Sequence, residues 1–291
     1  MTTRRKTRAE VHGAVSIVNA IATGKGSALG ISLKVTAEVE LQKGRGMRVI
    51  TGRNGNSDDE LIKNIIQKTI PKQIIESNMI TVKVDSEIPI GYGLKSSSAV
   101  SNAVALACSQ IGKEDDVNDY AILEVAVRSS LEAKVSLTGA YDDATACYFG
   151  GFTVTDNYSR QLIRKERAPE NLYAIILLPS NTSRGDVRKL RNLSDIFIDA
   201  FRFAESGQYW KAMKLNGVLA SAALSSSYIP VMVAMEQGAL SASISGNGPS
   251  IAAVGYEDAV EPIVDALSKF EGKIIVSKVN NEKANVKIIN D

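Results

Sequence analysis

Along ISLKVTAEVEL, residues 31–41, apolar and polar positions alternate with the period of two that a half-buried strand requires. RVITG at 48–52 does the same, and KGRG at 43–46 is the expected turn between the two. Over 57–70 the period changes: Leu61, Ile62, Ile65 and Ile66 fall on one helical stripe, with Ser57 as the expected N-cap. ITVKVDSEI at 80–88 returns to strand alternation. From Ser97 to Ile111 alanines, valines and a leucine recur at helical spacing, and a further helix is expected from about Asn118 to Lys134. YFGGFTVTD at 148–156 predicts a strand begun by paired glycines, and LYAIILLP at 172–179 is a continuous apolar run of the buried-strand kind. Helices are predicted over 185–205, 207–224 and 229–240, separated by serine- and glycine-containing breaks. ALSASISGNGPSIAAVG reads as strand, tight loop, strand; a helix at 257–269 and the strands KIIVSKV and NVKII complete the chain. Strands and helices are mixed in both halves, an α+β pattern, with an expected division into 1–155 and 156–291.

Composition narrows the function classes. The 291 residues, 44% hydrophobic and 23% charged, suit a soluble globular chain of one large or two ordinary domains. A net charge of +2 gives no field that would favour nucleic acid or a membrane surface. The basic start MTTRRKTRAE, followed by the moderately apolar VHGAVSIVNAIATG, imitates a targeting segment in outline. His12, Ser16 and Asn19 interrupt it, and no run reaches the ~18 apolar residues of a membrane span. A cytoplasmic protein is expected. Cys108 and Cys147, far apart in apolar surroundings, are expected as buried thiols. His12, the sole histidine, is expected at the surface or in a loop, which leaves little room for histidine-based catalysis.

The chemistry gathers in three stretches. In EIPIGYGLKSSSAVSNAVALA, residues 87–107, a strand gives way to glycines, three serines and a helix start. The first amides of a helix lack partners and its dipole adds positive potential, so such a mouth suits an anion. The order of residues is not GxxxxGK[ST], and glycine with serine also makes ordinary loops, so both readings stay open here. SISGNGPS at 243–250 is a second glycine loop, for which a hairpin turn is the plain alternative. Asp142 and Asp143 lie in an otherwise small and apolar stretch, with Glu132 eleven residues before Asp143. Carboxylates in such a setting are paired, metal-bound or catalytic, unless they are solvated turn residues. One to hold a metal and one to draw a proton from a hydroxyl is what phosphoryl transfer needs.

These stretches together resemble the GHMP kinase superfamily, the group of galactokinase, homoserine kinase and mevalonate kinase. Its phosphate loop, P-x-x-x-G-L-G-S-S-A-A, is matched by Pro89, Ile90, Gly91, Tyr92, Gly93, Leu94, Lys95, Ser96, Ser97, Ser98 and Ala99, with Lys95 for a glycine and Ser98 for an alanine. Asp142-Asp143 through Gly150-Gly151 matches D-N-x-x-x-x-x-x-G-G with aspartate at the second position, and Gly246, Asn247 and Gly248 match the third motif; the matches span residues 13 to 250. GLKSSSA, NAIATGKGSALGI and TGAYDDA look most like the archaeal type of shikimate kinase.

The resemblance implies an N-terminal half like ribosomal protein S5 domain 2 and a C-terminal ferredoxin-like half. It implies transfer of the γ-phosphoryl of ATP to the 3-hydroxyl of shikimate with magnesium; homoserine or another small alcohol is the alternative substrate. Residue by residue, it implies magnesium on Ser97 and Glu132, with Asp143 as general base and Asp142 placing the substrate. Phosphate contacts are implied at Pro89, Gly91, Gly93, Leu94, Lys95, Ser96, Ser97, Ser98 and Ala99, and at Gly246, Asn247 and Gly248. Asn19, Thr23 and Lys25 are the implied substrate contacts. Ser16 stands where mevalonate kinase has a lysine, and Lys25 is the candidate to replace that lysine. The shikimate carboxylate calls for arginine, and Arg184 and Arg188 are the candidates, although solvated surface arginines would look the same. Nucleic acid and membrane are not expected partners; the oligomeric state is open, a homodimer being one option.

Overall fold

The computed structural model describes residues 5–52, 59–111, 117–136 and 138–289. Its frame is a long antiparallel pair, β1 (Arg5–Val18) and β2 (Lys25–Lys43), paired from Arg5 opposite Leu41 to Val18 opposite Ser27, with register shifts after His12 and after Ser16. Every residue of β1 from Val11 to Val18 is buried. With neither face in water, the strand has no alternation to betray it in the sequence. His12 belongs to this strand and is buried there, which corrects the expected surface position.

β3 (Gly46–Thr51) does not form the expected hairpin with β2. It runs parallel to β4 (Asn78–Ser86), which lies between them, and α1 (Asp59–Thr69) and α2 (Lys72–Ser77) supply the crossover that parallel pairing needs. Leu61, Ile62, Ile65 and Ile66 are buried as their spacing predicts; Ser57 lies outside the described residues. α3 (Ser96–Ile111) packs across β1 and β2, flanked by α4 (Asp119–Glu132) and α5 (Tyr141–Phe149). The expected strand from 148 starts late: Tyr148 and Phe149 end α5, Gly150 and Gly151 turn the chain at φ +68° and +62°, and β5 (Phe152–Asp156) follows. β5 adds to the first half of β2 and pairs with β6 (Gln161–Glu166).

The second sheet holds β7 (Leu172–Pro179), β8 (Ser241–Ile244), β9 (Ile251–Tyr256) and β10 (Gly272–Lys278) in the antiparallel order β10-β7-β9-β8. Between β7 and β8 come a 3₁₀ turn (Val187–Leu193), α6 (Ser194–Glu205), α7 (Tyr209–Leu224) and α8 (Ile229–Glu236). α9 (Glu257–Leu267) joins β9 to β10. This is the split β-α-β-β-α-β order expected of a ferredoxin-like half. β11 (Asn285–Ile289) then returns to pair with β1. The expected division between 155 and 156 therefore falls inside β5, and β6 and β11, beyond it, belong to the first sheet. One apolar core runs from β1 and α3 through to α6 and α7; a smaller one sits between the second sheet and α8 and α9. Both cysteines are buried and unpaired, as expected. Among the described residues no helix is long and apolar enough to cross a membrane.

Candidate active site

Two helix N-termini open on one cavity of about 350 Å³. Ser96, Ser97 and Ser98 form the first turn of α3; Asp142 and Asp143 form that of α5. The helices are braced side by side, since the Asn102 side-chain amide donates to the Ala144 carbonyl at 2.8 Å. Ahead of α3 the loop turns at Gly91 and Gly93, with φ +88° and +77°. Gly93 has no alternative: a β-carbon there would lie 2.1 Å from the Ser245 carbonyl oxygen. The loop from Pro89 to Lys95 is thus pressed against the SGNGPS loop, and the Ser245 hydroxyl donates back to the Gly93 carbonyl at 2.9 Å. Pro89, Gly91, Gly93–Ser98, Gly246, Asn247 and Gly248 all line the cavity; Ala99 is buried behind it.

Lys95 is not where its neighbours suggest. Its φ is +66°, in the left-handed region, and its side chain is buried. The ammonium Nζ donates to the Ser16 hydroxyl at 2.8 Å and lies 2.8 Å from Asp143 Oδ1. That second approach is off the hydrogen-bond direction and is an ion pair rather than an aligned bond. Burial alone would lower the lysine's pKa, but the charges of Asp143 and Asp142 reverse this and raise it. Asp142 is buried beside them, its Oδ1 accepting from the Asn157 amide at 2.7 Å. Burial, followed by the charge of Asp143, pushes Asp142 up to about 7.

Ser16 ties the walls together. Its hydroxyl oxygen also accepts from the Gly246 N–H at 2.9 Å, and its own N–H donates to the Ser245 hydroxyl at 3.2 Å. Asn19 lines the cavity too, yet its amide holds the closing loop, donating to the Gly246 carbonyl at 2.8 Å, while its oxygen accepts the Ile21 N–H at 2.8 Å.

Four sequence-predicted residues lie elsewhere. The Glu132 carboxylate is turned outward and holds Lys68 of α1 at 2.8 Å, so it shares no ligand position with Ser97 and Asp143. Ser130, two residues earlier, faces the cavity instead; two residues on a helix are about 200° apart. Thr23 closes its own turn, bonding the N–H and carbonyl of Lys25. Lys25 pairs with Asp156 at 3.3 Å and covers the Phe201 ring, and so replaces no lysine beside Asp143. Arg188 is held by Asp186 at 2.8 Å in solvent, a pairing that lowers Asp186 to about 2. Arg184 does line the cavity, its guanidinium donating to the Gly91 carbonyl. Ser130, near the end of α4, and Val135, Ser136 and Thr138, between α4 and α5, also line the cavity and were not expected. Their stretch carries no periodic signal; only its place just before Asp142 could have pointed to it. Among the described residues no group of three His, Cys, Asp or Glu could hold a metal ion.

Residues 60–151 match the family model for the GHMP kinases N terminal domain. The shikimate kinase of Methanothermobacter thermautotrophicus is 39% identical over 281 residues, covering 94% of this chain and 96% of that protein. The shikimate kinase of Pyrococcus abyssi is 36% identical, covering 91% and 96%. The chain belongs to the archaeal shikimate kinases. This family carries the GHMP kinase fold, as solved structures show. The homoserine kinase from Cytophaga hutchinsonii superposes with a TM-score of 0.74 at 22% identity, over 99% of this chain and 98% of that one. Methanococcus jannaschii mevalonate kinase superposes at 0.77 and 16% identity, over 94% and 98%. At these identities the likeness is one of fold, and the family assignment rests on the shikimate kinases.

Proposed function

We propose that the protein transfers the γ-phosphoryl group of ATP to the 3-hydroxyl of shikimate, giving shikimate 3-phosphate and ADP. The observation that carries this reading is the meeting of two helix mouths in one cavity, one lined by serines and free amides, the other by acids. The names of the relatives supply the alcohol. The amides and hydroxyls of Ser96, Ser97 and Ser98, with the Gly246–Gly248 loop, receive the phosphates. Asp143 accepts the proton of the 3-hydroxyl as that oxygen bonds to the γ-phosphorus. The bond from this phosphorus to the bridging oxygen breaks, and ADP leaves with its electron pair. Asp142 helps to hold the ring hydroxyls. Arg184, at the cavity wall with a second guanidinium edge to spare, reads the carboxylate.

Magnesium fits this site as an ion brought by the nucleotide. Ser97 offers an exposed hydroxyl of the hard oxygen type, and phosphate oxygens and water would supply the remaining ligands. Bound there, it would neutralise phosphate charge. In this reading the partners are ATP and shikimate alone, and the setting is the cytoplasm. A coupled ADP-release assay with shikimate, homoserine and mevalonate in parallel tests the proposal. Turnover with shikimate alone is expected; turnover with homoserine or mevalonate and none with shikimate would sink it.

A further inference from the structure

A lysine at φ +66° stands in backbone space that glycine occupies freely and a residue with a β-carbon enters at a cost. An observed outlier of this kind at a functional cavity points to a use for the side chain that requires it. The side chain shows which use. Lys95 does not extend over the serines into the space for phosphate; it is 6% exposed and turned under the loop. Its ammonium is caged by Asp143 Oδ1, by the Ser16 hydroxyl and by Gly246, where a β-carbon would come within 3.0 Å of Nζ. Three segments distant in sequence thus close on one cation: β1, the start of α5 and the SGNGPS loop.

We propose that Lys95 is a positioning residue for Asp143 rather than a phosphate ligand, and that the site requires its ammonium and not its place in the chain. The inference rests on the reading of Asp143 as the base. The ammonium engages one oxygen of that carboxylate, leaves the other for the substrate hydroxyl, and balances the charge of the acid pair. Ser16 approaches the same point from the opposite wall, its oxygen 2.8 Å from Nζ. A lysine at 16 would therefore deliver its charge into the space that Lys95 vacates, and glycine at 95 would take up φ +66° without strain.

The test uses Lys95→Met, Lys95→Gly, and the exchange Ser16→Lys with Lys95→Gly, each checked for folding by circular dichroism. Steady-state kinetics with ATP and shikimate are read beside the ADP dissociation constant from calorimetry, which needs no turnover. For a group acting on the base, kcat of Lys95→Met should fall about 100-fold, with ADP affinity within about threefold of the parent. The exchange protein should regain at least about tenfold over Lys95→Gly. Should the exchange protein not fold, ethylammonium added to Lys95→Gly replaces it, and recovery of turnover carries the same meaning. ADP affinity lowered about tenfold or more in Lys95→Met would overturn the proposal and return Lys95 to the phosphates, and turnover kept within about threefold would overturn it by removing Lys95 from the machinery. Absence of rescue by both the exchange and the amine would also overturn it. If the parent protein itself fails to turn over shikimate, the proposed function is what has failed. The ADP measurements still decide whether Lys95 is a phosphate ligand.

Discussion

Asp142→Asn probes the charge balance of the site through stability alone. The carboxyl is buried, accepts from the Asn157 amide, and is answered by its own N–H donating to Asn157 Oδ1 at 3.0 Å. An asparagine keeps the shape and the acceptor while removing the titration. The groups facing Asp142 are Asp143 and Lys95; burial and Asp143 outweigh the lysine and carry Asp142 from 3.8 to about 7. The folded chain therefore holds a proton that the unfolded chain releases between about pH 4 and pH 7. An acid with a raised folded pKa contributes its stability fully below the unfolded value and loses it as pH rises through the folded one. At about 1.4 kcal/mol per pH unit the whole step is worth about 4 kcal/mol, of which roughly 3 kcal/mol falls between pH 5 and pH 8. Urea unfolding of both proteins at pH 5 and pH 8, at constant ionic strength, isolates this contribution, because His12 and the surface acids cancel in the difference. The parent should lose stability relative to the variant by a few kcal/mol on going to pH 8. An identical difference at the two pH values would show that Asp142 carries no proton in the folded state, and the account of the acid pair would be wrong.

Asp143→Ala should lower kcat by roughly 10²- to 10⁴-fold with little change in ADP affinity; near-normal turnover in the coupled assay would remove Asp143 as the base. Arg184→Ala should raise the shikimate KM at least about tenfold through loss of a charge-assisted contact, whereas Arg188→Ala, whose partner is Asp186, should leave it unchanged. Gly93→Ala forces a β-carbon to within 2.1 Å of the Ser245 carbonyl oxygen and should cost about 2–4 kcal/mol in thermal or urea unfolding, with a weakened ATP KM. Glu132→Ala removes a solvent-exposed pair with Lys68 and should change stability by less than about 1 kcal/mol while the magnesium dependence of turnover stays as it was.

Elements with one wet face were legible in the sequence. α1 shows its stripe because Leu61, Ile62, Ile65 and Ile66 face the core while Lys63 and Gln67 face water. β1 was not read at all, because its buried half has no polar side to set a period. The pairing of β3 was misread for a different reason. KGRG fits a hairpin locally, but β4 occupies that edge of β2 from Val35 to Lys43, and no local signal reports a strand that arrives later in the chain. α5 escaped notice because eight of its nine residues are buried, leaving no amphipathic period over two and a half turns.

The site divides along the same line. Gly91, Gly93 and the serines were readable because a loop against a helix mouth makes local demands on backbone and residue size. Glu132 and Lys95 were misplaced because their roles depend on the direction in which a side chain leaves the backbone. Ser130 points toward α3, its hydroxyl 3.3 Å from that of Ser101. The helical repeat then turns Glu132, two residues on, away from the cavity and toward Lys68, whatever its distance in sequence from Asp143. At position 95 the left-handed backbone swings the side chain beneath the loop, so a cation that adjoins three serines in sequence meets Ser16 and Asp143 in space. Spacing along a chain can nominate a charge for a site, but φ at one residue and phase on one helix decide which ion it faces.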